Sequence, residues 1–89
     1  MPTISMFYGV LVRMYFYDDE QHHLPHFHVE YQGMKASVAI ETANLLSGSL
    51  PPNKLRLVQA WAEIHKEDLM ADWKLAKEGQ KLFPIDPLK

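Results

Sequence analysis

The hydrophobic and polar positions divide the chain into an amino-terminal part with strand-like patterns and a carboxy-terminal part with a helical one. Residues 8–17 are rich in β-branched and aromatic side chains, which predicts one long strand. Residues 26–31 and 34–40 flank Gln32-Gly33, which we interpret as the two-residue loop of a β-hairpin. This part of the chain is therefore expected to form a sheet.

The hairpin makes a specific prediction about which side chains share a face. Opposed residues lie on the same face of a sheet, and successive residues alternate between faces. The expected pairs are Tyr31/Met34, Glu30/Lys35, Val29/Ala36, His28/Ser37, Phe27/Val38 and His26/Ala39. One face then carries Phe27 and Val29, whereas the other carries His26, His28 and Glu30. A shift by one residue would destroy this separation.

The last third of the chain has a helical period. A short edge strand is expected at residues 45–48, and prolines then introduce helical structure over about 52–78. The apolar stripe consists of Leu55, Val58, Ala62, His65, Leu69, Trp73 and Ala76, at steps of three and four residues. It fits one long helix or two helices with a break near residues 65–67. Gly79 is a natural stop, and residues 80–89 are expected to be loose.

These elements predict an α+β fold in a single domain over residues 1–89. It is a small antiparallel sheet of three to four strands, packed on one face by one long or two shorter C-terminal helices. Trp61 and Trp73 are expected to fill the interface between sheet and helices, because indole rings bury much apolar area.

Composition narrows the classes of function. A formal net charge of −2 argues against bulk electrostatic binding of nucleic acid, so any such contact needs a local basic patch. The absence of cysteine excludes disulfides and thiolate metal sites. No secretory signal and no membrane span is evident, so we expect a cytoplasmic protein without membrane contact.

Four of the five histidines lie between residues 22 and 28, which concentrates metal-binding and proton-transfer capacity in one segment. The spacing of His23, His26 and His28 could hold zinc or nickel. Acid/base chemistry on a phosphodiester is a second interpretation, with His26, His28 or Glu30 exchanging protons. The third interpretation is a solvated strand that binds a partner protein. His65 falls on the helical stripe and is more typical of a packed core or helix-end histidine.

Arg13 would complete the phosphodiester interpretation. If the first strand lies beside the hairpin, its guanidinium stands on the same face as the histidines and can bind phosphate with two hydrogen bonds. Such chemistry, with the RNA 2′-hydroxyl as nucleophile, requires no metal or other cofactor. Asp18 is most simply a cap at the end of the strand.

The chain as a whole resembles a bacterial family, domain of unknown function 4160. The resemblance rests on Met1-Pro2-Thr3-Ile4-Ser5, Phe7-Tyr8-Gly9, Met14-Tyr15-Phe16-Tyr17-Asp18, His22-His23-Leu24-Pro25-His26-Phe27-His28-Val29, Leu50-Pro51-Pro52, Leu55-Arg56-Leu57-Val58 and Trp61-Ala62-Glu63-Ile64-His65. The resemblance implies that this protein is the toxin of a two-protein toxin–antitoxin module. It also implies that the toxin acts against translation. It also implies functional roles for Asp18, His26 and His28, and secondary roles for His23 and Arg13.

The leading hypothesis is thus a toxin-like protein that impairs translation through RNA cleavage on the strand face. Its catalytic residues would be His26, His28, Arg13, Asp18 and Glu30, and its partner a cognate small antitoxin-like protein. The alternatives are a small transition-metal-binding domain, with zinc or nickel on His23, His26 and His28, and a non-enzymatic partner-binding module.

Overall fold

The fold is an antiparallel five-stranded sheet followed by two helices, as seen in a computed structural model that describes residues 3–16 and 24–89. The elements in chain order are β1 (Thr3–Phe7), β2 (Val10–Arg13), β3 (His26–Tyr31), β4 (Met34–Ala39), β5 (Leu45–Gly48), α1 (Pro52–Ile64) and α2 (Lys66–Lys77). Each strand pairs with its neighbours in the sequence, so the sheet order is β1-β2-β3-β4-β5. The predicted α+β class is confirmed, with one strand more than expected.

The predicted hairpin is confirmed in register. The pairs of β3 and β4 run from His26 opposite Ala39 to Tyr31 opposite Met34. Gln32 and Gly33 both have positive φ, 46° and 83°, which is the geometry of a type I′ two-residue turn. The right-handed twist of the strands favours this turn, and the turn sets the register of the whole hairpin.

The single long strand predicted over residues 8–17 is wrong. Tyr8 and Gly9 have φ of 49° and 80°, so they form a second turn of the same kind and separate β1 from β2. Strand β2 ends at Arg13, and residues 14–16 continue without strand pairing. Tyrosine is an unusual residue at positive φ, and for that reason the pattern of apolar residues hid this turn.

Trp61 forms the centre of the core between sheet and helices. Its side chain is fully buried, and its ring lies 5.2 Å from the ring of Phe7 and 5.8 Å from that of Phe27. Trp73 is buried as well, but it packs farther along the sheet against Phe16 and His26. The expectation that both indoles fill the helix–sheet region is confirmed.

The helical region consists of two helices that meet at His65. The backbone N–H of His65 closes α1 by donating to Trp61, and the carbonyl of His65 accepts the N–H of Leu69 in α2. Gly79 ends α2 with φ of 71°, and the backbone N–H of Gln80 donates to the carbonyl of Leu75. This is a Schellman cap, so the predicted glycine stop is confirmed. Neither helix in the described part of the chain is long and apolar enough to cross a membrane.

Residues 80–89 form neither helix nor strand, but they are not loose. The N–H of Ile85 donates to the carbonyl of Ile4 at 2.7 Å, and the indole N–H of Trp61 donates to the carbonyl of Asp86 at 2.8 Å. The N–H of Phe83 donates to Oδ1 of Asp72 at 3.0 Å. A buried indole needs an acceptor, and the tail supplies one.

Gly48 is the tightest backbone position of the sheet. A Cβ on Gly48 would lie 2.0 Å from the carbonyl oxygen of Lys35, and its φ is +78°. We expect Gly48→Ala to lower the free energy of unfolding by about 2–4 kcal/mol through strain and clash. Gly33→Ala, at a φ of +83° with nothing near its added methyl, should cost only about 1–2 kcal/mol. Urea unfolding of both variants measures the difference, and equal losses would contradict this account.

Asp72 predicts a pH dependence of stability. Burial, and to a smaller extent the neighbouring Asp68, raises the pKa of Asp72 above its ordinary value of 3.8, although the hydrogen bond from Phe83 opposes the rise. The folded state therefore binds this proton more tightly than the unfolded chain, and ionisation costs stability as the pH rises through the raised pKa.

Asp72→Asn keeps the acceptor for the Phe83 N–H and removes the charge. We expect the variant to be more stable than the wild type at neutral pH, with the difference shrinking as the pH falls towards 3.8. Urea unfolding across this pH range tests it, with the exposed Glu78→Gln as a control of equal charge change. A constant difference at all pH values would contradict the prediction.

Candidate functional site

A row of mostly polar residues crosses the sheet on the face opposite the Trp61 core. Arg13 of β2 pairs with Thr3 of β1 and with His28 of β3. His28 pairs with Ser37 of β4, and Ser37 pairs with Ser47 of β5. Because opposed residues share a face, the sheet brings a guanidinium, an imidazole and two hydroxyls into one line.

Glu30 lies between two cations beside this row. Its Oε2 is 2.9 Å from Nη1 of Arg13, and its Oε1 is 3.7 Å from Nζ of Lys35. The lysine side chain is 77 % exposed, so its ammonium is available to another anion. The cluster of one carboxylate and two cations is locally positive on a chain whose net charge is −2.

His28 contacts the side chains of three other described residues. Its ring stacks on that of Tyr15, with centroids 4.2 Å apart and planes within 2° of parallel. Its Nδ1 is 3.2 Å from the hydroxyl of Ser37, and the ring of His26 meets it edge-on at 5.1 Å. These contacts fix the orientation of an imidazole that remains partly exposed.

His26 lies on the same face of β3 but is not exposed. Only 6 % of the residue is accessible, because its ring packs against the indole of Trp73 at 5.1 Å. Its Nδ1 lies 2.8 Å from the carbonyl oxygen of Leu24. A carbonyl can only accept, so Nδ1 carries the proton in this contact. The expectation that both hairpin histidines stand on an open face therefore holds for His28 and not for His26, whose ring packs on Trp73 of α2.

A shallow depression of about 310 Å³ lies over this row. The residues that could act on a ligand there are Arg13, Tyr15, His28, Glu30, Lys35 and Ser37, with Ser47 at its far side. Its surface combines an aromatic ring, an imidazole, cations and hydroxyls. Cations and hydroxyls can bind a phosphate and aromatic rings can stack on a base, and these are two of the three parts of a nucleotide.

The other residues that the sequence singled out are not among those that line this depression in the described part of the chain. Asp18, His22 and His23 fall outside the described residues. His65 lies at the junction of the helices, where its Nδ1 is 3.3 Å from Asp68 and its ring packs on Trp61, as expected of a helix-end histidine. Of the three residues predicted to bind zinc or nickel, His26 and His28 have rings in edge-on contact, and His23 is outside the described residues. Within residues 3–16 and 24–89, no group of three histidine or acidic side chains is arranged to hold a metal ion.

Ser47 was not among the predicted site residues. Strand β5 is short, and the hydroxyl of Ser47 reaches the site only because β5 pairs with β4 in this register. That register includes an irregularity between Ser37 and Val38. No local sequence signal marks such a position. Asp72 was also missed, although an acidic residue next to Trp73 in the apolar stripe was a visible signal of a buried carboxylate.

Comparison with protein families gives a match over residues 9–74 to the model described as Domain of unknown function (DUF4160). The match covers most of the chain and includes β2, β3, β4, β5 and α1. The chain therefore belongs to this family. No curated protein and no solved structure matches it significantly.

The stack of Tyr15 on His28 leads to a prediction for the free protein. We expect Tyr15→Leu to remove the ring-current shift of the His28 ring protons and to cost about 1 kcal/mol of stability, the usual contribution of an aromatic pair. Carbon–proton correlation spectra of the histidine rings measure the shift. Tyr8→Leu removes an exposed tyrosine at the remote turn and should leave the His28 signals in place. Equal spectra for Tyr15→Leu and wild type would contradict the stack.

Proposed function

We propose that this member of the DUF4160 family is the toxin-like component of a two-protein module, and that it impairs translation by cleaving RNA in the depression over β2, β3 and β4. The observation that carries the proposal is the convergence of the Tyr15–His28 stack with the Arg13–Glu30–Lys35 cluster. Neither half alone would be specific, because surface ion pairs and stacked rings are both common. Together they supply base stacking, phosphate binding and proton transfer within one cavity.

Phosphate recognition would use the cations and the hydroxyls. Arg13 is only 31 % exposed and is oriented by Glu30, so its guanidinium is positioned before a ligand arrives. Lys35 is mobile enough to turn from Glu30 to a phosphate oxygen, since its ion pair is long and solvated. The hydroxyls of Ser37 and Ser47 add donors along the same line. The stacked rings of Tyr15 and His28 add an aromatic surface beside these donors.

The chemical step is transfer of the phosphoryl centre to the neighbouring 2′-oxygen of the same RNA strand. The 2′-oxygen attacks phosphorus, the bond from phosphorus to the 5′-oxygen breaks, and the products are a 2′,3′-cyclic phosphate and a 5′-hydroxyl. Glu30 would accept the proton of the 2′-hydroxyl, and His28 would donate a proton to the departing 5′-oxygen. Arg13 and Lys35 would stabilise the extra negative charge that develops on the phosphoryl oxygens.

His26 would act as a positioning residue in this scheme. It is buried against Trp73 and does not line the depression, but its ring edge contacts His28. Asp18 and His23, which the family resemblance implied, stay predictions because they lie outside the described residues.

The antitoxin-like partner would be recruited at the outer edge of β5. This strand ends the sheet and contributes Ser47 and Gly48 to the depression. In the described part of the chain no further strand pairs with its outer edge. An extended segment added there would extend the sheet and reach over the depression, which would block access of RNA.

Induced expression in a bacterial host tests the function. We expect the wild type to arrest growth and amino-acid incorporation, and the purified protein to produce RNA fragments with 2′,3′-cyclic phosphate ends without added metal. His28→Gln keeps a hydrogen-bonding side chain but cannot transfer protons, so we expect a loss of cleavage rate of about 10²–10⁴-fold together with loss of arrest.

His65→Gln is the matched control for His28→Gln, because it removes the histidine at the helix junction, away from the depression. Lys77→Gln serves in the same way for Lys35→Gln, which should weaken RNA binding with the protein still folded. Growth arrest that persists in His28→Gln would overturn the proposal. Tight binding to a partner protein with no effect on growth would favour the non-enzymatic module instead.

A further inference from the structure

A second row of side chains crosses the sheet beside the polar row and on the same face. Its cross-strand pairs, from β1 to β4, are Met6/Leu11, Leu11/Glu30 and Glu30/Lys35. The ion pair of Arg13 with Glu30 joins the two rows at 2.9 Å. The second row is therefore apolar on β1 and β2 and charged on β3 and β4.

The apolar end of the second row is accessible. Met6 is 64 % exposed, and Leu11 is half-buried. A single exposed apolar side chain is ordinary on a protein surface. These two residues differ in position, because they are directly opposed and Leu11 is the cross-strand neighbour of Glu30, which lines the depression. Met6 and Leu11 thus form an apolar patch that continues from the depression towards the β1 edge of the sheet.

The two rows are separated by two positions along each strand. Leu11 and Arg13 lie two positions apart on β2, as do Glu30 and His28 on β3. A strand of an antiparallel sheet advances by about 3.4 Å per residue, so the rows are about 7 Å apart. Two successive nucleotides of an unpaired strand can take one row each when their bases are unstacked from each other.

The proposed reaction, on which this inference rests, determines which nucleotide meets the apolar patch. Glu30 would accept the proton of the 2′-hydroxyl, which belongs to the nucleotide on the 5′ side of the scissile phosphate. His28 would donate to the 5′-oxygen of the nucleotide on the 3′ side. Leu11 is the β2 partner of Glu30, and Arg13 is the β2 partner of His28. The nucleotide on the 5′ side therefore lies over the second row, next to the patch.

A nucleobase fits the apolar patch better than the other parts of a nucleotide do. Neither Met6 nor Leu11 has a side-chain donor for the oxygens of a phosphate. The thioether of methionine is polarizable, makes favourable contacts with aromatic rings and adapts its shape to them. Stacking on a base is tolerant of sequence, because every base has a π-face. The patch can thus recognise the presence of an unpaired base without reading its hydrogen-bonding edge.

We propose that the apolar patch binds the base on the 5′ side of the scissile phosphate, so that the substrate is single-stranded RNA with an unpaired base at this position. Duplex RNA is a poor substrate, because a paired base is stacked between its neighbours and cannot lie on the patch. A purine binds more tightly than a pyrimidine at this position, since it covers more apolar surface.

Methyl spectra test the contact directly, because the ring current of a base shifts the methyl signal of a methionine that it covers. The probe is a dinucleotide of 2′-deoxyadenosine followed by adenosine, which lacks the attacking hydroxyl. We expect a saturable upfield shift of the Met6 methyl signal, assigned by its loss in Met6→Leu. The shift should persist when the base of the 3′ nucleotide is replaced by hydrogen, and vanish when that of the 5′ nucleotide is replaced.

Met6→Ser removes the thioether at an exposed position, so the protein should remain folded. We expect it to weaken binding of the dinucleotide several-fold. The KM for cleavage of single-stranded RNA should rise by a similar factor with kcat unchanged, because the patch does not touch the reacting atoms. Met6→Leu should retain most of the affinity. Ile64→Ser is the matched control, because it removes a side chain of equal exposure, 66 %, from the end of α1 and should change neither quantity.

Equal affinity and equal KM in wild type and Met6→Ser would overturn this inference alone, if RNA is still cleaved. A Met6 shift that survives removal of the 5′ base would overturn it as well. So would a Met6 shift that follows protein concentration without any nucleotide, since it would assign the patch to contact between copies of the chain. Base-dependent Met6 shifts without any cleavage of RNA would uphold the patch as a base-binding site and overturn the proposed reaction.

Discussion

The register of the sheet is the constraint on which the rest of this structure depends. Turns with two consecutive residues at positive φ set two of its four strand pairings: Tyr8-Gly9 sets that of β1 with β2, and Gln32-Gly33 sets that of β3 with β4. Such turns allow one pairing of the strands they join, and a shift of one residue would exchange the faces of every side chain. The line from Arg13 to His28, Ser37 and Ser47 exists only in this register. Backbone geometry at the Gln32-Gly33 turn thus places Ser37 opposite His28, and the pairings of β2 with β3 and of β4 with β5 add Arg13 and Ser47 to the line.

The alternation of apolar and polar side chains along β3 gives the two faces of the sheet different roles. Phe27 and Val29 are completely buried towards Trp61, while His28 and Glu30 between and beside them face the depression. The apolar face stabilises the fold by removing hydrocarbon from water. That stability lets the polar face hold an arginine, a carboxylate and a stacked imidazole in fixed positions. Strand β3 serves both purposes, which explains why its sequence alternates so regularly.

Sequence patterns predicted the parts of the molecule that local chemistry determines. The hairpin from His26 to Ala39, its register and the Gly79 cap all follow from neighbouring residues, and the structure has them. The turn at Tyr8 was missed because tyrosine rarely adopts positive φ. The burial of His26 could not be predicted, because it depends on contact with Trp73, a residue 47 positions later in the chain. Ser47 joins the site through pairing between strands, which no local pattern reveals.

A few buried polar atoms lower the stability of this fold, because they have no hydrogen-bond partner among the described residues. Among the described residues they are Oγ of Ser5, Nε of Arg13 and Oδ2 of Asp72. Of these, Arg13 lines the depression on the sheet, and Asp72 lines a separate cavity between α2 and the tail. A buried group that is left unsatisfied lowers stability, so the rest of the fold must offset that cost. The partners that these two groups do have decide how they are held: Glu30 orients the guanidinium of Arg13, and the Phe83 N–H anchors the tail to the carboxyl group of Asp72. Each buried polar side chain thus connects two parts of the fold, β2 to β3 and α2 to the tail.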